Sequence, residues 1–166
     1  MASGGCSCSI CQANNGTCGG ACGWLRSQRF GCLQQSTWLS PDPVDDTLLP
    51  LKQLRLKPES FTVIQGQPAG SHTDADLVRG AWDFKSINRA YSRLLELSDR
   101  GIKIASDQDT SPDTRRGWLA AYRKVWIEAV SMDPLLPRRL WPTEYLGERA
   151  WLRRQEVLGK VVRRDP

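Results

Sequence analysis

Cysteine is the residue type in this chain most obviously able to do chemistry. Six are present, and Cys6, Cys8, Cys11, Cys18 and Cys22 fall within the first 23 residues, with Cys32 beyond them. Thiolates are good zinc ligands, and Cys8 and Cys11 make a C-x-x-C pair. The spacings that follow supply no second such pair, so a zinc- or redox-responsive module stands beside two other readings. One is a disulfide-bearing leader, which a reducing compartment opposes. The other is a loose Gly/Ser/Asn-rich leader, with too little apolar surface to offset the entropy of ordering it. No metal ligand is nominated from this pattern. His72, the single histidine, lies in a Pro/Gly/Ser stretch and is expected to be exposed, which leaves no Ser–His–Asp or Cys–His arrangement. Asp42, Asp45 and Asp46 form an acidic cluster beside a Pro-rich turn. In that setting they read as helix caps, and no catalytic residue is nominated.

Anion binding is the second possibility. The formal charge is +5, enough to permit contact with nucleic acid or another anion without demanding it. The excess gathers towards the C-terminus at Arg138, Arg139, Arg149, Arg153, Arg154, Lys160, Arg163 and Arg164, against Glu144, Glu148, Glu156 and Asp165. Arg123, Arg138, Arg139, Arg149 and Arg153 could face phosphates. The plainer alternative is a solvated basic face with pairing to Glu144 and Glu148, and for Arg123 pairing with Asp133. The sequence does not choose, so the cofactor-binding residues stay unknown and no cofactor is expected. No run approaches the ~18 apolar residues of a membrane helix, and no secretory signal pattern opens the chain, so a cytoplasmic location and no membrane contact are expected.

Three stretches would position these residues. Residues 1–23 are the leader. From Trp24 the texture changes: 24–31 reads as the last turns of an amphipathic helix closed by Gly31, Leu33–Ser40 as a strand, and Leu48, Leu49, Leu51 and Leu54 as a short helix capped by Asp45 or Asp46. Phe61–Gly66 is a β-branched strand, and Gln67–Thr73 a linker. The remainder reads as helical. Asp74 and Asp76 suit a helix start, and Asp83 caps a stripe of Ile87, Ala90, Tyr91, Leu94 and Leu95. Residues 98–114 read as a loop. Helices over 115–131 and 145–162 follow, with Asp113 or Thr114 capping the first and Thr143 the second. Trp118, Trp126 and Trp151 are read as core. Between the last two helices, the prolines of 132–142 force a rigid, extended, apolar segment expected to press on a core.

Three groups of residues resemble one family. Arg29-Phe30-Gly31-Cys32-Leu33-Gln34-Gln35-Ser36-Thr37-Trp38-Leu39-Ser40-Pro41 is the first. The second is Ala81-Trp82-Asp83-Phe84 with Ile87-Asn88-Arg89-Ala90-Tyr91. The third joins Tyr122-Arg123, Asp133-Pro134-Leu135-Leu136-Pro137, Leu140-Trp141-Pro142 and Gly147-Glu148-Arg149-Ala150. Together, over about 24–160, they resemble the PaaX family of bacterial transcriptional repressors. That resemblance implies a central ferredoxin-like domain of the kind seen in the CRISPR protein Cas2. It also implies a helical C-terminal domain for dimerisation or effector response, and an aromatic acyl-CoA effector such as phenylacetyl-CoA.

The fold class expected is therefore α+β: an incomplete ferredoxin-like (Cas2-like) unit followed by an all-α helical C-terminal domain. The expected division is a leader over 1–23, a partial central domain over 24–70, and the helical domain over 71–166. The Cys/Gly leader stands where the family has its winged helix and first strand. The sequence therefore reads as a truncated or frame-shifted regulator that keeps its dimerisation and effector regions, with direct DNA binding in doubt. A homodimer, or a heterodimer with an intact relative, is the expected partner. The chain is expected not to be an enzyme; the competing functions are the Cys-rich zinc or redox module and, less favoured, a Cas2-like nuclease. The helical part is expected to be the stable portion, and 24–66 marginal with an uncovered strand edge.

Overall fold

A computed structural model describes residues 18–34, 36–42 and 62–162. The expected helix around 45–54 and the cysteines of the leader before Cys18 lie outside them. Among the described residues the fold is mixed: five α-helices and one small antiparallel sheet, with the helices concentrated in the C-terminal part. The chain divides into two compact units. The described residues up to Trp82, with 134–141, form the first; 83–133 and those from Pro142 on form the second.

In the first unit, α1 (Cys18–Ser27) leads into a hairpin of β1 (Gly31–Gln34) and β2 (Thr37–Leu39). The pairing is Gly31 with Leu39, Cys32 with Trp38 and Gln34 with Thr37, with an irregularity between Cys32 and Gln34. Gly31 was expected to end the helix and 33–40 to be a single strand; both expectations need correction. The helix ends at Ser27. Arg29 takes a left-handed conformation (φ 67°), its N–H reaching Arg26 O and that of Phe30 reaching Leu25 O, both at 2.9 Å. Those two bonds are the paired closure normally built on glycine. Gly31 is thereby freed to open β1, and the chain reverses between Gln34 and Thr37.

Next, α2 (Asp74–Ala81) starts with a reciprocal cap. The Asp76 amide donates to the Thr73 hydroxyl (3.2 Å), while the Thr73 amide and hydroxyl donate to the Asp76 carboxylate (2.9 and 2.7 Å), which holds the Asp76 carboxyl down to about 2. This helix packs against β1, and the Trp82 indole N–H donates to Arg29 O at 3.2 Å. The strand expected at 61–66 is not formed by its described residues. Thr62–Gly66 is exposed, Ile64 by 84%, and no neighbouring strand among the described residues satisfies its backbone. His72 is exposed, as read from the sequence.

The proline segment has no regular secondary structure up to Pro137 and then makes one 3-10 turn, Arg138–Leu140. Leu136 is buried, whereas Leu135 turns outward with a positive φ of 52°. The Trp141 indole N–H donates to Leu136 O at 2.7 Å, closing the segment on itself.

The second unit is built on α3 (Phe84–Ser106), against which α4 (Pro112–Met132) and α5 (Gly147–Val162) both pack. Asp83 caps α3 as expected, accepting from the Ser86 amide at 3.0 Å. Ile87, Ala90, Tyr91 and Leu94 are buried along its stripe. The loop expected over 98–114 is shorter, because α3 continues to Ser106. Its poor helix formers have local uses. The Ser98 hydroxyl donates back to Leu94 O at 2.8 Å, and Gly101 leaves room for the Trp118 indole, where a Cβ would collide. Pro112 occupies the first turn of α4, where its missing N–H costs nothing. The cap is Ser111, which accepts from the Thr114 amide at 3.2 Å, rather than Asp113 or Thr114. Nor does Thr143 cap α5. It lies in a turn, and the Leu146 amide just before the helix donates to Asn88 Oδ1 at 2.9 Å.

Gly→Ala exchanges in the second unit should therefore have opposite signs. Gly101→Ala should destabilise by about 1–3 kcal/mol, because overpacking against Trp118 outweighs the gain in helix propensity. Gly117→Ala on α4, where a Cβ meets nothing, should stabilise by up to about 1 kcal/mol. Urea denaturation of the two variants checks the pair.

Candidate functional site

The helical unit carries two arrangements of interest. The first is buried. Asp133, the C-cap of α4, is 1% exposed. Its Oδ2 accepts from the Tyr91 hydroxyl of α3 and, at 2.5 Å, from the Tyr145 hydroxyl just before α5. One carboxylate oxygen thus ties together all three helical segments. The Tyr145 ring stands edge-on to Phe84 and Tyr91, with centroids 5.9 and 6.1 Å away. Gly147 leaves space for its phenol, since a Cβ there would meet it. Asn88 completes the join, giving Nδ2–H to Glu144 O and taking the Leu146 amide on Oδ1, both at 2.9 Å.

Burial, and then the neighbouring Asp133, push the Tyr91 and Tyr145 phenols well above their ordinary range. Burial also raises Tyr122, which stacks on Trp118 at 4.8 Å between centroids and shares a 3.2 Å hydrogen bond with the Ser98 hydroxyl. Two phenols held protonated on a buried carboxylate position helices; they are poorly placed to accept or release protons near neutrality.

The second arrangement is at the surface. Trp126 of α4 meets Trp151 of α5 edge-on at 4.6 Å. The Arg154 guanidinium lies 4.4 Å from the Trp126 ring centroid and 5.9 Å from that of Tyr122, within cation–π range of both. Of the three tryptophans read as core, Trp118 is buried, Trp126 half-buried, and Trp151 41% exposed. Trp151 therefore departs from the core reading, its outer face being left open by the edge-on contact with Trp126.

The arginines singled out for phosphate contact have separate fates. Arg153 is engaged by Asp99 and Glu156, each at 2.5 Å, rather than by Glu144 or Glu148, and these carboxylates raise its pKa further. Arg123 and Arg149 are exposed. The hydroxyls found on Asp133 come from tyrosines, where Arg123 was the partner suggested by the sequence. Arg138 and Arg139 are exposed in the first unit, Arg138 5.9 Å from the Trp141 ring centroid. Arg154 drew no special attention in the sequence, because the pairing of Trp126 with Trp151 is what defines its position. The one available signal was its spacing of three from Trp151, which puts both on one helical face.

Cys22 is buried and Cys32 half-buried. Among the described residues no group of three or more His, Cys, Asp or Glu side chains could hold a metal ion, and no helix is long and apolar enough to cross a membrane. Asp42 is exposed, and Asp45 and Asp46 lie outside the described residues.

Comparison with known families bears on this second unit. Residues 82–163 match the family model of the PaaX-like protein C-terminal domain. That stretch is similar to the PaaX-like C-terminal domain, and neither a curated protein nor a solved structure matches the chain. Several residues of the PaaX resemblance now have physical roles in the domain. Asp83 caps α3, Asn88 receives α5, Tyr91 and Asp133 form the buried bond, and Gly147 makes room for Tyr145.

Two predictions follow from the buried bond. Tyr145→Phe should lower unfolding free energy by about 1.5–3 kcal/mol, the range for a hydrogen bond to a charged group. The Tyr91→Phe/Tyr145→Phe double variant should depart from the sum of the singles, because both hydroxyls share one oxygen; urea melts measure both. The chain's only three tyrosines are Tyr91, Tyr122 and Tyr145, all raised when folded. Above pH ~10 the unfolded chain releases phenolic protons that the folded chain keeps. Their contribution to stability is thus intact below that pH and falls as pH rises, by roughly 1.4 kcal/mol per pH unit for each of Tyr91 and Tyr145. The rise in absorbance at 295 nm from Tyr91 and Tyr145 should come only together with loss of the helical circular-dichroism signal, above the ordinary phenol range.

Proposed function

We propose that this chain is a cytoplasmic, PaaX-like transcriptional regulator whose helical domain serves dimerisation and response to a small effector. The observation that carries this reading is that the family match takes in the whole described part of the second compact unit. The match covers 82–163; the described part of the unit runs over 83–133 and 142–162, and the match also includes Trp82 and 134–141 of the first unit. The buried polar chemistry of that unit supports a regulatory reading over an enzymatic one. Its buried carboxylate, Asp133, is engaged by two phenols in a positioning role, and Arg153 is engaged by acids of its own unit.

The effector class in this reading is an aromatic acyl-CoA, as the resemblance implies. Its acidic phosphates would need exposed cations to meet them. The first unit, with α1, the β1–β2 hairpin and α2, is read as part of a Cas2-like central domain. The partner is a second copy or an intact relative.

The test is titration of the full chain with phenylacetyl-CoA, with free CoA and phenylacetate as controls, by calorimetry and sedimentation velocity. The acyl-CoA is expected to bind at least tenfold more tightly than either fragment and to shift the association state. Equal weak heats from all three and no change in sedimentation would overturn the effector reading.

A further inference from the structure

The surface around Trp126, Trp151 and Arg154 carries chemistry that helix packing does not use. Trp151 is 41% exposed, and its neighbour Leu152 63%; on α4, Ile127 is 56% exposed. Single exposed apolar residues are ordinary, but a tryptophan–leucine pair beside a second, half-buried tryptophan is a different composition from the rest of a solvated helix face.

Charge is distributed unevenly around it. Arg123 lies three residues before Trp126, Lys124 three before Ile127, Arg149 three before Leu152 and Arg154 three after Trp151, so each cation shares a face with one of these apolar groups. Among the described residues none of the four is ion-paired, whereas Glu128 is taken by Arg93 and Glu156 by Arg153 and Lys160. By the same spacing Glu148 lies three residues before Trp151, so these four cations outnumber the acid that shares their face.

Arg154 is the best placed of them. The rings of Trp126 and Tyr122 orient its guanidinium, so little side-chain freedom remains to be lost when it meets an anion. Tryptophan and arginine adjoining in this way are the residue types that carry most of the energy in protein interfaces.

We propose that the α4–α5 face centred on Trp151 and Arg154 is a docking surface for an acidic, amphipathic segment of a partner protein. Its apolar side chains would cover Trp151 and Leu152, and a carboxylate would pair with Arg154. Charge complementarity selects this occupant, because a net basic rim favours an acidic partner and disfavours a second copy presenting the same cations.

The test uses the full chain and a fluorescein-labelled synthetic peptide in which glutamates alternate with leucine and phenylalanine. The same peptide with glutamines in place of glutamates is the control, and binding is followed by anisotropy. The acidic peptide should bind at least tenfold more tightly than the control and lose affinity as salt rises. Arg154→Met and Trp151→Ala should each weaken it at least tenfold. Leu152→Glu, at an exposed position where folding is not at stake, should weaken it also. Binding that is absent, unchanged in all three variants, or indifferent to glutamine replacement overturns the proposal. A concentration-dependent dimer of the chain alone that Trp151→Ala abolishes also overturns it, assigning the face to a second copy.

Discussion

The second unit depends on one carboxylate. Helices α3, α4 and α5 could bury their apolar stripes at many relative registers, since hydrophobic attraction is non-directional. Asp133 removes that freedom. A buried carboxylate is costly unless donors meet it, and the Tyr91 and Tyr145 hydroxyls meet it on one oxygen. Sliding α4 against α3, or shifting the approach to α5, would strand the carboxylate. The same bond explains why so bulky a ring as Tyr145 sits over a glycine at the start of α5.

Around that fixed point the unit separates polar groups that are engaged from those that are open. The engaged set includes Arg153 with Asp99 and Glu156, Arg93 with Glu128, and Ser98 with Tyr122. The open set lies on the outer surface of α4 and α5, where cations adjoin tryptophans and outnumber the acids beside them. An engaged group ordinarily serves the fold; an open one is available to something else. The PaaX-like match covers both sets.

How much of this was legible in the sequence depended on distance along the chain. The Asp83 cap and the stripe from Ile87 to Leu94 were read correctly because they involve neighbours within a turn or two. The continuation of α3 through Ser98 and Gly101 was misread. Low propensity there is offset by a back-bonded hydroxyl and by the Trp118 ring, which arrives from another helix. The same limit applies to the surface: Trp151 resembled core on its own helix, and only the contact with Trp126 shows which of its faces is covered. In the first unit, Gly31 looked like a terminator because glycine usually fills the left-handed position that Arg29 takes here. Of the three groups of family motifs, the second and third lie almost wholly within the matched 82–163, and the first, at 29–41, lies outside it.

The side chain of Asn88 has a consequence for the order in which the unit folds. Its amide gives one hydrogen bond and takes another, filling the place of a missing peptide group at the approach to α5. The two bonded positions are 56 and 58 residues further along the chain. Nucleation of α5 therefore gains this support only after a long loop has closed, and loop closure must precede the contacts that reward it. Although almost wholly helical, this unit has the closing step of a non-local fold. Pairing of α3 and α4 across their short connection would form first, leaving α5 the last helix to dock and the first to leave.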